Sequence, residues 1–313
     1  MRFSNSYFED EVRDGFYVPG MVKRAWAAQL EVLEDVDRVC KKHGIRYFAD
    51  WGTLLGAVRH GGFIPWDDDL DICMKRQDYT RFLEIAPKEL PAEYKILNFH
   101  TPYNGEFMWQ FISRIVNHKS ICFDEKHLEK FHDFPYVAGI DIYPLDYRAS
   151  SEEKETLRGN LLTLVTYAIN LLEEENGEQL EEQLRIVEDM CNVRINRNST
   201  VKQQLYCLSE QLISLYREEE AQIITRMMGG IDESKCRYPK SWYQETIMLP
   251  FENTEIPVPL YYDAVLKSLY GEYLKPVHGG GEHEYPFYKK QEAVLPERFG
   301  IRPVKYEVSG DLI

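Results

Sequence analysis

"FIPWDDDLDICMK", residues 63–75, is the stretch on which the reading of this chain turns. Asp67, Asp68, Asp69 and Asp71 crowd four carboxylates into five positions. Unit charges 4 Å apart repel by about 1 kcal/mol even in water, and by more near a protein interior. Either the stretch is an exposed acidic turn, or a cation belongs in it. Set as a strand, "DLDICM" puts Asp69, Asp71 and Cys73 on one face and Leu70, Ile72 and Met74 on the other. The apolar face can enter a core, but bare carboxylates are costly to bury. Two carboxylates at i and i+2 suit Mg²⁺, which takes one or two carboxylates together with waters and substrate phosphates. An acidic triplet alone reads more simply as a solvated turn before an edge strand.

Three neighbours shift that balance. "DWGTLLGAV" follows a strand and opens a helix; Gly52 permits close approach to the backbone and Thr53 can serve as the N-cap. Helix N-termini attract phosphate. In "GIDIYPLD", Asp141 sits between Ile140 and Ile142, a lone acid in a β-branched strand and hence a third carboxylate for the same ion. Arg59, His60 and Arg114 supply cations nearby. Each piece alone has an ordinary structural account. Together they describe a turn that cradles phosphate and strand acids that hold a divalent metal, the equipment of displacement at phosphorus.

The rest of the chain fits an enzyme of this kind. Its 313 residues allow one large domain or two ordinary ones, and 44% hydrophobic residues allow a sizeable core. A net charge of -15 argues against a nucleic-acid binder, because phosphate backbones need Lys and Arg. Six scattered cysteines with no C-x-x-C read as reduced thiols of a cytoplasmic protein. The first 20 residues lack the apolar run of a secretory signal. "LLTLVTYAINLLEEE" gives about 12 mostly apolar residues, short of the roughly 20 that span a bilayer.

Periodicity predicts an amphipathic helix over 20–43, with Val22, Trp26, Leu33, Val36 and Cys40 on its apolar face. "IRYFAD", "LDICMK" and "YVAGIDIYPLD" read as strands, "TLLGAVRH" and "DYTRFLEIAPKEL" as helices, and "FISRIV" as strand. We divide the chain into an N-terminal extension (1–20), a catalytic core (21–150), a charged helical insertion (151–235) and a C-terminal part completing the core (236–313). The fold class is α+β with an added helical region. Cys122, His127 and His132 recur every five residues, which on a helix would not share a face, so no zinc site is expected there. His278 and His283 flank three glycines in a surface loop. "YPFYKKQE" either lines a site for a quaternary ammonium or simply packs.

"GTLLGAVRHGGFIPWDDDLDICM" closely resembles the first motif of the LicD family, "GIDIYPLD" its second and "LYGEYLKP" its third. The resemblance covers roughly residues 20–150 and 240–290. It implies a nucleotidyltransferase (polymerase-β-like) fold, a small mixed sheet flanked by helices. It implies transfer of a phospho-alcohol group, phosphocholine first, from a CDP-activated donor to a hydroxyl of a cell-surface glycan such as teichoic acid or lipopolysaccharide, with release of CMP. Asp69, Asp71 and Asp141 would be catalytic and ligate Mg²⁺ or Mn²⁺, with Asp67 or Asp68 as alternative bases. Gly52, Thr53, Arg59, Arg114 and Lys275 would bind the donor. A lipid-linked acceptor would bring the protein to the inner face of the membrane. The alternatives are transfer of a nucleoside monophosphate with loss of pyrophosphate, or a nucleotide-binding protein without activity. The tail "PVHGGGEHEYP" departs from the family's proline-rich ending, which leaves the acceptor side open.

Overall fold

The computed structural model describes residues 1–226, 236–277 and 285–301. A short hairpin, β1 (Glu11–Arg13) and β2 (Phe16–Val18), leads into α1 (Gly20–His43). The five apolar residues predicted to face inward on α1 are all buried. Gly44 ends the helix in the left-handed region (φ 62°), its N–H returning to the carbonyls of Cys40 and Lys41.

Next come β3 (Phe48–Ala49), α2 (Trp51–Arg59), β4 (Asp71–Lys75), α3 (Arg76–Glu89), β5 (Lys95–Leu97), β6 (Ser113–Val116), α4 (Glu125–Lys130) and β7 (Gly139–Tyr147). The helices α5 (Glu152–Glu173), α6 (Gly177–Cys191) and α7 (Val201–Ile213) follow. Then come β8 (Ile223–Thr225), β9 (Arg237–Pro239), the hairpin β10 (Thr246–Phe251) and β11 (Thr254–Pro259), and α8 (Tyr262–Tyr270). Two short turns, α9 (Lys289–Glu292) and α10 (Leu295–Phe299), close the described chain.

The central sheet runs β3-β4-β7-β6-β5, with β8 pairing β7 and β9 pairing β8. Among the described residues only β4 and β7 run parallel; the other pairs are antiparallel. The α+β class is therefore as expected. β4 is buried at every position, which explains why its sequence departs from clean alternation.

Two expectations need correction. The strand at the acidic stretch begins at Asp71, not Asp69. The preceding backbone is held by side chains of α1 instead: Trp26 Nε1 donates to the Asp67 carbonyl (3.0 Å) and Gln29 Nε2 to that of Asp68 (2.6 Å). The helical block also stops at Ile213, within the span read as an insertion to 235. β8 then returns to the sheet beside Asp146 and Tyr147. The three helices enclose a core of their own, with Leu162, Val165 and Ile169 of α5 against Leu184 and Val187 of α6 and Leu205 and Leu212 of α7. That spacing on α5 is one helical stripe. None of the described helices is long and apolar enough to cross a membrane.

Candidate active site

The site forms where β4 and β7 lie side by side. Parallel register places Asp71 opposite Asp141, and antiparallel register places Asp141 opposite Arg114 on β6. Arg114 grips Asp141 with two bonds, Nε to Oδ1 at 2.5 Å and Nη2 to Oδ2 at 2.6 Å. Asp141 thus has a cation, and planar bidentate pairing is the strongest form of such a contact.

Asp71 has none. Its Oδ1 is buried without any hydrogen-bond partner. Burial pushes its carboxyl well above the usual range, and the charges of Asp69, Asp141, Asp50 and Asp67 push it further. A buried acid ringed by acids, with an orphaned oxygen, fits a bound cation. Among the described residues, however, no three His, Cys, Asp or Glu side chains are drawn together as a ligand set. Asp69, Asp71 and Asp141 share one electrostatic field, but Asp141 is turned to Arg114 rather than toward a common point.

Thr53 is not the N-cap it was expected to be. That role belongs to Asp50, whose carboxylate accepts the N–H of Trp51 (3.0 Å), because the chain enters the helix one turn earlier through Trp51 at φ 40°. Thr53 is buried, and its Oγ1 accepts the backbone N–H of Asp71 at 2.8 Å. It therefore fixes the start of β4. The close approach expected at Gly52 is made by a residue of the chain itself: a Cβ there would collide with Asp67 Oδ2.

The other expected residues lie at various distances from this centre. Arg59, in the last turn of α2, donates from Nη1 to the Tyr273 carbonyl (2.9 Å), tying the segment after α8 to α2. Burial lowers its pKa. Lys275 is exposed beyond α8. Asp68 is fully buried and accepts the N–H of Phe287 (2.5 Å), so it anchors the C-terminal segment. Tyr288 stacks on Tyr136 at 5.2 Å and Phe287 packs on Phe134, so "YPFYKKQE" is packing, not a cage. His132 pairs through Nε2 with Glu31 Oε1 at 2.8 Å. His278 and His283 lie outside the described residues.

Four residues escaped the sequence reading. Asp50 and Arg226 form a fully buried bidentate ion pair, with Arg226 Nε 2.7 Å from Asp50 Oδ2 and Nη2 on Oδ1. The guanidinium lies over the Trp51 ring (4.6 Å) and donates from Nη1 to Tyr238 Oη (2.9 Å). The Asp50 N–H bonds the Asp71 carbonyl (3.0 Å), so this pair sits one residue behind the site. Tyr143 on β7 and Tyr270 on α8 both feel the acids: burial first, then the neighbouring carboxylates, raises their phenols. An Asp just ahead of a helix is an N-cap signal that could have marked Asp50. The apolar "IIT" before Arg226 was a strand signal inside a span read as helical.

Residues 44–133 match a family model described as LicD/FKTN/FKRP, nucleotidyltransferase domain. The lipopolysaccharide cholinephosphotransferase LicD of Haemophilus influenzae is 27% identical over 263 residues, 79% of this chain and 88% of that protein. The human ribitol 5-phosphate transferase FKRP is 48% identical over 149 residues, 40% of this chain and 30% of that protein. An uncharacterised protein of Rickettsia typhi is 42% identical over 66 residues, 21% of each chain. The chain therefore spans most of the Haemophilus relative and under a third of the other two.

Proposed function

The chain belongs to the LicD family of phosphotransferases, and on that premise we propose that it moves a phospho-alcohol group, phosphocholine first among the candidates, from a CDP-activated donor to a hydroxyl of a cell-surface glycan, releasing CMP. The observation that carries the reading is Asp71, a buried acid with an orphaned oxygen and four carboxylates around it. Asp71 and Asp69 would hold Mg²⁺ or Mn²⁺, which would neutralise charge on the donor's diphosphate.

The chain's own residues do the rest. Thr53 fixes the backbone of Asp71, so the carboxylate starts β4 at a set height. Asp141 holds the Arg114 guanidinium beside the acids, where it can meet phosphate oxygens with its remaining donor surface. The first turn of α2, with Gly52 and Thr53, presents backbone amides that have no acceptor within the helix. Tyr143 and Tyr270 border the acids and would contact the donor. The name of the Haemophilus relative is the reason to put choline first, and that of the human relative keeps ribitol open. A nucleotidyltransferase-type fold is part of the same proposal.

The test is a screen of CDP-choline, CDP-ethanolamine, CDP-ribitol and CDP-glycerol with Mg²⁺ or Mn²⁺, following the nucleotide product. CMP release from one donor, abolished in Asp69→Asn with the fold intact, is the expected result. Pyrophosphate release from a nucleoside triphosphate, with no CMP from any donor, would assign the rival nucleotidyl transfer instead.

A further inference from the structure

We propose that Cys207, His100 and Glu210 form a covalent-modification site, at which the Cys207 thiol, paired with the His100 imidazole, reacts with small soft electrophiles. The site lies in the helical layer, apart from the acids of β4 and β7. Cys207 and Glu210 sit three positions apart on α7, on one face of the helix. His100 comes from the loop after β5 and is laid between them.

Its Nδ1 is 4.0 Å from Cys207 Sγ and its Nε2 is 2.8 Å from Glu210 Oε2. A nucleophile beside a base, with the base oriented by an acid, is the recurring geometry of an activated side chain. The ring is held in place from other directions as well. Phe99 packs against it at 4.4 Å between centroids, and Gln203 Nε2 donates to the His100 carbonyl (2.9 Å).

The charges that face the imidazole favour its protonated form. The contact with Cys207 and the bond to Glu210 raise its pKa to about 9. Glu210 is itself kept ionised: burial pushes its pKa up, but the bonds and charges of His100 and Arg76 outweigh that and lower it. Arg76 Nη1 reaches Glu210 Oε1 at 2.8 Å, and its other two nitrogens bond Asp146 of β7 at 2.7 and 2.8 Å. A sulfur held beside an imidazole that an acid orients is placed to attack an electrophile.

Cys207 is half-buried, so a small reagent can reach it, whereas Cys40, Cys73, Cys122 and Cys236 are buried. Cys191 is half-buried too, and burial raises its pKa, which makes it the internal control. With an alkyl halide, the Cys207 sulfur forms an S–C bond as the carbon–halogen bond breaks. The halide leaves with its electron pair, and the proton of the thiol passes to solvent.

The test treats the full chain with iodoacetamide at about pH 6.5, where an ordinary thiol is only about 1% thiolate. Labelling of each cysteine is followed by peptide mass spectrometry. The expected result is labelling of Cys207 about tenfold or more faster than Cys191, and a fall of about fivefold or more in His100→Gln. Cys207 labelling no faster than Cys191 in the wild-type chain overturns the proposal, with no variant needed. So does a folded His100→Gln chain that labels at the wild-type rate.

Discussion

Asp71 and Asp141 lie opposite one another across the parallel pair of β4 and β7, and the Arg114 guanidinium binds the second while Oδ1 of the first has no hydrogen-bond partner among the described residues. Two neighbouring acids are thereby put in unlike states. The paired one is compensated within the protein. The other is buried at the start of β4 with its charge opposed by every acid around it. That asymmetry is what an added cation would relieve.

In cation-free buffer at neutral pH, Asp71→Asn should therefore be more stable than the wild type, by about 1–3 kcal/mol, since it keeps the shape and removes an acid whose ionised form is disfavoured by burial and by its neighbours. Mg²⁺ at about 100 times its dissociation constant should add about 2.7 kcal/mol to the wild type and nothing to the variant. Denaturant unfolding with and without the ion measures both. A variant less stable than the wild type without metal would mean that Asp71 is not an uncompensated charge.

Thr53→Val should cost about 1–3 kcal/mol, because the Asp71 N–H loses its acceptor inside the protein. Thr53→Ser keeps the hydroxyl and should cost less than about 1 kcal/mol by the same argument. Equal losses in the two variants would point to the methyl group rather than the bond.

Arg226→Met leaves the Asp50 carboxylate buried and alone. Breaking such a pair costs about 3–5 kcal/mol. Because the Asp50 N–H also holds the Asp71 carbonyl, transfer activity should fall with stability, even though Arg226 contacts no reacting group. Stability within about 1 kcal/mol of wild type would show that the pair contributes little.

His100 gives a pH signature. Its folded pKa of about 9 stands above the ordinary value of 6.5, so the folded state holds the proton more tightly. The stability this contributes is complete below about pH 6.5 and is lost as pH rises through about 9. The side chain is 39% exposed, so solvent screening limits the effect to about 1 kcal/mol or less. The difference in unfolding free energy between wild type and His100→Gln should shrink between these two pH values. A difference that stays level across them would contradict the Glu210 and Cys207 contacts.

Much of this site could be read in the chain before folding was considered. The strand periodicity around Ile72 and around Ile140–Ile142, the helix over 20–43 and the crowding at Asp67–Asp71 are local signals, set by side-chain alternation and charge. What could not be read was the partner of each charge. Arg114 looked like a phosphate ligand, and the antiparallel register of β6 gave it to Asp141. Asp68 looked like a base, and the segment at Phe287, 219 positions away, made it a buried anchor.

Local sequence alone places acids at the head of a buried strand beside a strand–helix turn, because those features depend on neighbours a few residues apart. Which of these acids pairs with a basic residue is settled by long-range folding. Asp50 is matched by Arg226, 176 positions away, and Asp141 by Arg114 on an adjoining strand. Among the described residues Asp71 Oδ1 stays without a partner, because sheet register turns the nearby Arg114 guanidinium to Asp141, and that register is not written in any single stretch of the chain.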